Sequence, residues 1–518
     1  MASVRRLLRS SLGLKRSAFD AAETSRLLAD WNSYLTSAVQ EIRYELPVLR
    51  ARSRTLVRNN PHARRFLNAM ARNVVGPVGI RLQATVLDSA GRRDRATNSA
   101  IETAWKAWGR RGICTVDRQM SWRDVQRMVL TTIVTDGEAL VRRIKYADNP
   151  FGYALQLIDP DLLDENYNVA RTPQGTMVRM GIEFDVVTSA PLAYYLWTRH
   201  VSDVDTGIPR ERIRVPAAEL DHLFLPFRLG QIRGVPWMAP AMRSTQLLGG
   251  YVEAEVVAAR TASAKMGFIQ SSGNGQDAGP DPDAVGDEES ESPIIEAAPG
   301  IIEKLGPGET FAQWDPSHPT GQFQSFLNAM LHFIAAGLDV SAVTLTGDLS
   351  QANYSSLREG KVTERDTWQQ LQEWFTDLLH EPVYQDWLPL ARTSGQLPLS
   401  GAISRYGAHK WQPRGWQWVD PLKDVQASER ELSLRLTTRT RLAAERGDDF
   451  EEILTEWKAE QELAAELNVA LPDPQPTPIA PGTYDNQDSK PAGGSEPSAD
   501  AATPGSGRAR LVALRSAR

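Results

Sequence analysis

Asp159-Pro-Asp161, with Asp164 and Glu165 close behind, is the densest group of carboxylates in the part of the chain expected to fold. Carboxylates this close can share a divalent cation, because hard cations take several oxygen ligands. A magnesium-dependent nucleic-acid-processing enzyme, a nuclease or a motor subunit, would use Asp159, Asp161 and Asp164 in that way. The order lacks the central glycine and distal glutamate of a calcium loop, and Asp-Pro-Asp is also a turn and helix-cap signature. The seven histidines, at 62, 200, 222, 318, 332, 380 and 409, show neither His-x3-His nor His-Glu-x-x-His spacing, so zinc catalysis has no seat. Gly360-Lys361 has no upstream glycine and no following Ser or Thr, as a phosphate loop requires. These patterns assign no catalytic residue, no metal and no cofactor. A motor that included this chain would draw its energy from another protein.

Other residues suit contact rather than reaction. Gly337 ends an apolar helical run that starts at Phe323. A polar loop follows, offering the neutral hydrogen-bonding groups of Thr344, Thr346, Ser350, Gln351 and Asn353, and a charged helix begins near Tyr354. The glycine-punctuated segment Phe227 to Trp237 carries Arg228 and Arg233, which could meet phosphate, a neighbouring subunit or only solvent. Fourteen tryptophans could stack on bases, but they more often anchor cores and interfaces.

The chain has 518 residues, 41% hydrophobic and 24% charged, with a net charge of −6. Those values describe a soluble multi-domain protein with ample core. Its acidity argues against a static grip on duplex DNA, where neutralising phosphates supplies most of the affinity. Charge is uneven: arginine is in excess over the first 72 residues, and Asp277 to Glu296 holds acids but no bases. One cysteine, Cys114, excludes an intrachain disulfide and reads as a buried thiol from a reducing compartment. The basic N-terminus lacks the apolar core of a secretory signal, and Leu247 to Ala264 is interrupted by Glu253, Glu255 and Arg260. Neither is a membrane span.

The elements that must position these residues read as α+β, mostly helical. Helical spacing covers Ala22 to Leu46, and Asn60-Pro61 opens a helix from His62 to Val75 that Gly76-Pro-Val-Gly79 breaks. A strand at Ile80 to Val86 precedes a helix with Trp105 and Trp108, and Ser121 with Asp124 forms a capping box. Leu140–Ile144, Ala154–Ile158, Gly181–Phe184 and Ala193–Trp197 read as strands. A long helix spans Trp237 to Met266, with small residues from Ala254 to Ala264. Residues 271–299 form a mobile acidic loop, and Ile301–Leu305 a short strand. Leu357 to Trp387 is one helix, Trp411, Trp416 and Trp418 make an aromatic patch, and Val425 to Leu471 is a helix pair broken at Gly447. The composition of 472–518 cannot build a core.

Several phrases occur together in a recognisable order. They are Arg58-Asn-Asn-Pro-His-Ala-Arg-Arg65, Val74-Val-Gly-Pro-Val-Gly-Ile-Arg-Leu-Gln83, Asp136-Gly-Glu-Ala-Leu-Val-Arg-Arg143 and Leu155-Gln-Leu-Ile-Asp-Pro-Asp161. Gly181-Ile-Glu-Phe-Asp185, Phe227 to Trp237, Leu305-Gly-Pro-Gly-Glu309, Asn353-Tyr-Ser-Ser356 and Trp416-Gln-Trp-Val-Asp-Pro421 follow. In order and spacing the chain resembles lambda-type tailed-phage portal proteins over residues 20 to 470. The resemblance implies a portal fold of wing, stem, clip and crown that closes into a ring of about twelve copies at one capsid vertex of the virion, assembled in the host cytoplasm. Double-stranded DNA would pass through it, and the terminase large subunit, head–tail connector, scaffold and major capsid protein would be its partners, with no membrane.

The same resemblance divides the chain. Residues 1–20 would be a basic arm contacting DNA or scaffold, 21–235 the wing, and 236–336 the stem and clip. Residues 337–353 would form a tunnel loop, 354–424 a wing helix with the Trp-rich segment, 425–471 the crown and 472–518 a disordered tail. Thr344, Thr346, Ser350, Gln351 and Asn353 would face the channel; Arg228, Arg233, Arg358 and Lys361 would contact phosphate or a neighbouring subunit.

Overall fold

The computed structural model describes residue 26 and residues 34–200, 202–203, 209–263, 267–271, 309–313, 322–350, 354–416, 421–467 and 469. The expected basic arm, the bulk of the acidic loop, the strand at Ile301–Leu305 and the tail lie outside the described residues. One compact unit runs to Ile453 and a second begins at Leu454.

The first unit opens on helices α1 (Ala38–Ile42), α2 (Leu46–Asn59) and α3 (Pro61–Met70), the last running into a π-helical turn, Ala71–Val75. The single helix expected from Ala22 to Leu46 is not continuous. Residues 34–37 are not helical, and the Ser37 side chain caps α1 by accepting from Gln40 N at 3.2 Å. Pro47 restarts the helix as α2, because a proline has no N–H to donate and suits a first turn. Asn60 caps α3 as its sequence suggests, its side-chain oxygen accepting from His62 N and Ala63 N.

Strand β1 (Arg81–Ala84), helix α4 (Arg95–Trp108) and helix α5 (Trp122–Asp136) follow. The capping box of Ser121 and Asp124 starts α5, and Gly137 ends it with a φ of +92°. Then come β2 (Glu138–Lys145), β3 (Tyr153–Ile158), β4 (Met177–Arg179), β5 (Ile182–Phe184), β6 (Pro191–Trp197), β7 (Arg212–Pro216) and β8 (Leu220–Phe224). Two antiparallel sheets result, ordered β3-β2-β8 and β4-β5-β6-β7. Leu140, Ile182, Tyr194, Leu196 and Leu220 pack into one cluster between them.

Helix α6 (Ala239–Ser263) leads to a hairpin of β9 (Gly267–Ser271) and β10 (Glu309–Gln313). Helices α7 (Phe323–Gly337), α8 (Ala342–Thr346) and α9 (Tyr354–Phe375) come next. A π-helical turn, Thr376–His380, joins α9 to α10 (Glu381–Thr393). Strand β11 (His409–Gln412) returns to pair with β1, Leu82 opposite Trp411.

The Trp-rich stretches converge in the core. Trp105 lies 4.7 Å from Trp108 and 5.0 Å from Trp387, ring centre to ring centre, and the Trp108 indole donates to Tyr153 O at 2.9 Å. The Trp105–Trp387 pair is edge-to-face at 84°, a geometry that adds to the area the rings bury. The tail end carries α11 (Pro421–Ser433), α12 (Arg439–Glu445) and α13 (Phe450–Glu466). The expected helix pair is therefore three helices. Gly447 does break the chain (φ +84°), and a second break falls at residues 434–438, where Arg435 takes φ +59° and Thr438 caps α12. The second unit is described from Leu454 to the end of α13 and just beyond, and no α13 side chain is buried.

Candidate functional site

The segment between α7 and α9 was expected to be an open polar loop. It contains instead the one-turn helix α8, seated by Leu345, which is fully buried. Ser341 caps it, accepting from Thr344 N at 3.1 Å. Glu364 of α9 accepts from Ser341 N at 2.7 Å and from the Thr344 hydroxyl at 2.9 Å. Arg65 of α3 donates to Thr344 O at 2.9 Å, and the Thr346 hydroxyl donates back to Ala342 O at 2.8 Å. A buried apolar side chain and a set of local caps explain why the chain coils here rather than looping, though a run of Thr and Ser hides that from periodicity.

The Thr344 and Thr346 hydroxyls are thus spent on holding the turn. Residues Gly347 to Ser350 are exposed, with Asp348 accepting from Ser350 N at 2.8 Å. Gln351 and Asn353 lie outside the described residues.

Of the expected surface cations, Arg233 proves to be fully buried. It donates to both oxygens of Glu138, from Nε at 2.8 and 3.1 Å and from Nη2 at 2.6 Å, and to Met180 O at 3.0 Å. A guanidinium enclosed with a carboxylate cannot also reach phosphate or a neighbour, so that expectation is overturned for Arg233. Arg228 is part-exposed, paired with Glu41 and bonded to Thr36 O at 2.6 Å. Lys361 is exposed; the Arg358 side chain lies outside the described residues.

Glu138 is the centre of a network that the sequence did not announce. Besides Arg233 it takes Arg50, the His222 ring at 2.9 Å and Gly234 N at 2.7 Å. Burial opposes its ionisation, but the Arg233 and Arg50 charges outweigh it and hold the carboxyl well below the usual range. Burial keeps His222 below its ordinary value as well. Two glycines make the approach possible: a Cβ on Gly137 would stand 2.4 Å from the Val235 backbone, and one on Gly234 2.1 Å from Gly137 O.

The carboxylates of the Asp-Pro-Asp turn are answered by guanidinium groups. Asp161 meets Arg50 at 3.3 Å and also Arg54, Asp159 meets Arg54 at 3.3 Å, and Arg54 reaches Asp136 at 2.7 Å. Asp164 accepts from Arg212 Nε at 2.9 Å. Burial disfavours the charged form of Asp161, yet Arg54 and Arg50 keep its carboxyl below the ordinary value. The Asp159 side chain also accepts from Asp161 N, capping a short 3-10 turn. This is the turn-and-cap arrangement, with Asp159, Asp161 and Asp164 each paired to an arginine. Among the described residues no three His, Cys, Asp or Glu side chains converge for a metal ion. The arginines that match them sit in Arg50-Ala-Arg-Ser-Arg54, visible in the sequence as a basic run but not as partners for residues a hundred positions away.

A cleft of about 710 Å³ opens between the Gly76–Gly79 bend, α8, α9 and the end of β11. Arg81, Lys361, Arg365, Arg414 and Arg446 line it, against the carboxylates of Glu364 and Asp448.

The model of the lambda family of phage portal proteins matches residues 24–372. The chain belongs to that family: it is a phage portal protein of the lambda type, a class of structural head–tail connector proteins. The "Probable portal protein" of Halomonas phage phiHAP-1 is 31% identical over 461 residues, covering 88% of this chain and 88% of that one. "Portal protein B" of Escherichia phage lambda is 23% identical, covering 78% of this chain and 82% of its own length. Among solved structures, a chain of the neck of a native gene transfer agent particle computed with C12 symmetry covers 75% of this chain at 14% identity, with a loose TM-score of 0.38. No described helix is long and apolar enough to cross a membrane.

Proposed function

We propose that about twelve copies of this chain close into a ring at one vertex of a phage capsid. Double-stranded DNA enters through that ring during packaging and leaves through it at ejection. The ring is also the platform for the terminase large subunit and, later, the head–tail connector, and it meets scaffold and major capsid protein as the shell is built in the host cytoplasm. On this reading the chain has no catalytic activity and takes no cofactor.

The observation that carries the reading is the family match. It is continuous from residue 24 to 372 and takes in α6, α7, α8 and most of α9, the segments that would form stem and channel. Surface chemistry supports it. Helix α6 exposes Leu247 and Val256 by 63% and 55%, and α7 exposes Phe326 and Phe333 by 46% and 64%. Head-to-tail rings need two different adhesive faces on each copy, and covering the roughly half of each side chain still exposed is worth about 1 kcal/mol each. The net charge of −6 suits a conduit, since a strongly basic wall would hold DNA by counterion release rather than let it slide.

Native mass measurement with electron microscopy tests the proposal. A ring with a central hole and a mass of about 690 kDa supports twelve copies. A chain that stays a monomer or dimer with scaffold present would sink it.

A further inference from the structure

Two cations of the basic cleft, Lys361 and Arg446, are exposed and have no carboxylate within ion-pair distance among the described residues. We propose that this cleft is a binding site for phosphate groups, formed by Lys361, Arg414 and Arg446 with the Gly76–Gly79 bend as its wall.

Its wall is built in advance. Arg414 donates from Nη1 to Arg72 O at 2.6 Å and to Asn73 Oδ1 at 3.3 Å, which fixes the guanidinium before any ligand arrives. Gln372 spans the same corner, donating from Nε2 to Asn73 O at 2.8 Å and to Arg414 O at 3.2 Å. Gly76 (φ +80°) lets the bend close down, since a Cβ there would lie 2.9 Å from the Arg414 Cβ. Trp416 lines the cleft and is tied to Asn73 Oδ1 through its indole N–H at 3.3 Å.

The charges point to an anion. Glu364 already has both oxygens engaged, by Ser341 N and the Thr344 hydroxyl. Arg81 is turned to Gly447 O. Among the described residues, Lys361 and Arg446 have no carboxylate within ion-pair distance, and both are exposed. Burial, then the like charges of Arg72 and Arg365, make Arg414 less basic than usual, which an anion in the cleft would relieve. Planar guanidinium groups bind tetrahedral oxyanions in pairs of parallel bonds, and a lysine adds a point charge. A space of about 710 Å³ holds more than one phosphate-bearing unit, and an indole on its wall can stack on a base. The phosphates come either from a polymer, which would make the cleft a contact for transiting DNA, or from a small phosphate compound. Only the polymer source rests on the ring reading.

The experiment uses the full-length protein and a fluorescein-labelled DNA duplex, followed by anisotropy across a salt series, with pyrophosphate as competitor. Lys361→Ala with Arg446→Ala removes two exposed charges that make no bond within the described fold, and Arg414→Gln is the second variant. The expected result is an affinity about tenfold lower for the double variant, with a log–log salt slope shallower by about two. Pyrophosphate that displaces the duplex assigns the cleft to single phosphate groups; displacement by unlabelled duplex alone assigns it to a backbone. Unchanged affinity and slope in both variants, with unfolding midpoints unaltered, overturn the site. Native mass on the same samples reports ring closure separately, so loss of this site and loss of the ring reading give different results.

Discussion

Arg233 and Glu138, 95 residues apart, form a fully buried pair in which the guanidinium reaches both carboxylate oxygens. The pair pins the Phe227–Trp237 segment to the first residue of β2, and Arg50 extends the link to α2. Breaking a buried pair on one side leaves the other charge stranded in low dielectric, which costs more than the pair itself contributes. Glu138→Ala would strand the Arg233 guanidinium and leave Arg50 with Asp161 as its carboxylate partner. It is expected to lower unfolding free energy by about 3–5 kcal/mol, read from denaturant melts.

Asp221 gives a second prediction, on pH. Burial raises its carboxyl to about 6 from an ordinary 3.8, with Arg143 pulling down and Asp386 pushing up. Between those two values the folded state binds the proton and the unfolded state releases it. Stability contributed by this group therefore falls as pH rises from about 4 to about 6 and stays low above. Asp221→Asn should flatten that part of the profile of unfolding midpoint against pH. A profile that keeps its slope in the variant would refute the assignment.

The carboxylate turn separates the portal reading from the nuclease one. Asp161 is held by Arg50 and Arg54, so Asp161→Asn is expected to act on stability, by about 1–3 kcal/mol, through two weakened charge-assisted bonds. Pure protein incubated with linear DNA, magnesium and ATP should show no turnover that tracks with Asp161. Cleavage that vanishes in the variant would restore the enzyme reading.

Leu345 and the exposed pair Asp348 and Ser350 bear on the proposed channel segment in different ways. Leu345→Ala empties a fully buried site and should cost about 2–5 kcal/mol. The exposed tip is free to change: Asp348→Lys with Ser350→Lys should leave folding intact while adding two cations to the segment. If the tip faces DNA, packaging in a reconstituted system should slow by about tenfold, because each added contact releases counterions. Equal packaging rates would place the tip away from the channel.

The close approach of Gly137 and Gly234 yields the last prediction. Gly137→Ala meets both a φ of +92° and backbone atoms of Val235 at 2.4 to 2.6 Å. Nothing flexible can yield there, and a loss beyond about 2 kcal/mol is expected. Gly112→Ala, at φ +90° with open space around it, is the control that isolates backbone strain from collision.

Local chemistry explains which parts of this fold could be read from residues alone. Asn60 with Pro61, and Ser121 with Asp124, are signals complete within four residues, and both helices start where they say. Strand β6 alternates in burial from Tyr194 to Trp197, within the stretch its sequence marks. Strands β4, β7 and β8 carry no such mark, being three to five residues long or carrying charges such as Arg212 and Arg214 that pair across the sheet with Asp164 and Glu183. The burial of Arg233 is hidden in the sequence for a related reason. Its neighbours are glycines and polar residues, and only tertiary contact with Glu138 shows the segment to be interior. α8 escaped notice because its one buried residue, Leu345, sits in a run of hydroxyls. Family likeness, carried by many short phrases in order, was legible where no single site was.

Cys114 has a practical consequence. Its side chain is buried, and burial pushes the thiol up to about 12. At neutral pH almost none of it is thiolate, the form that reacts with maleimides and disulfides. As the single cysteine of the chain, it leaves a chemically quiet background. A cysteine introduced at Ser350 or Lys361 would take a fluorophore or spin label selectively, with the native residue left in place. If the copies close into the proposed ring, distances between labels would report it directly.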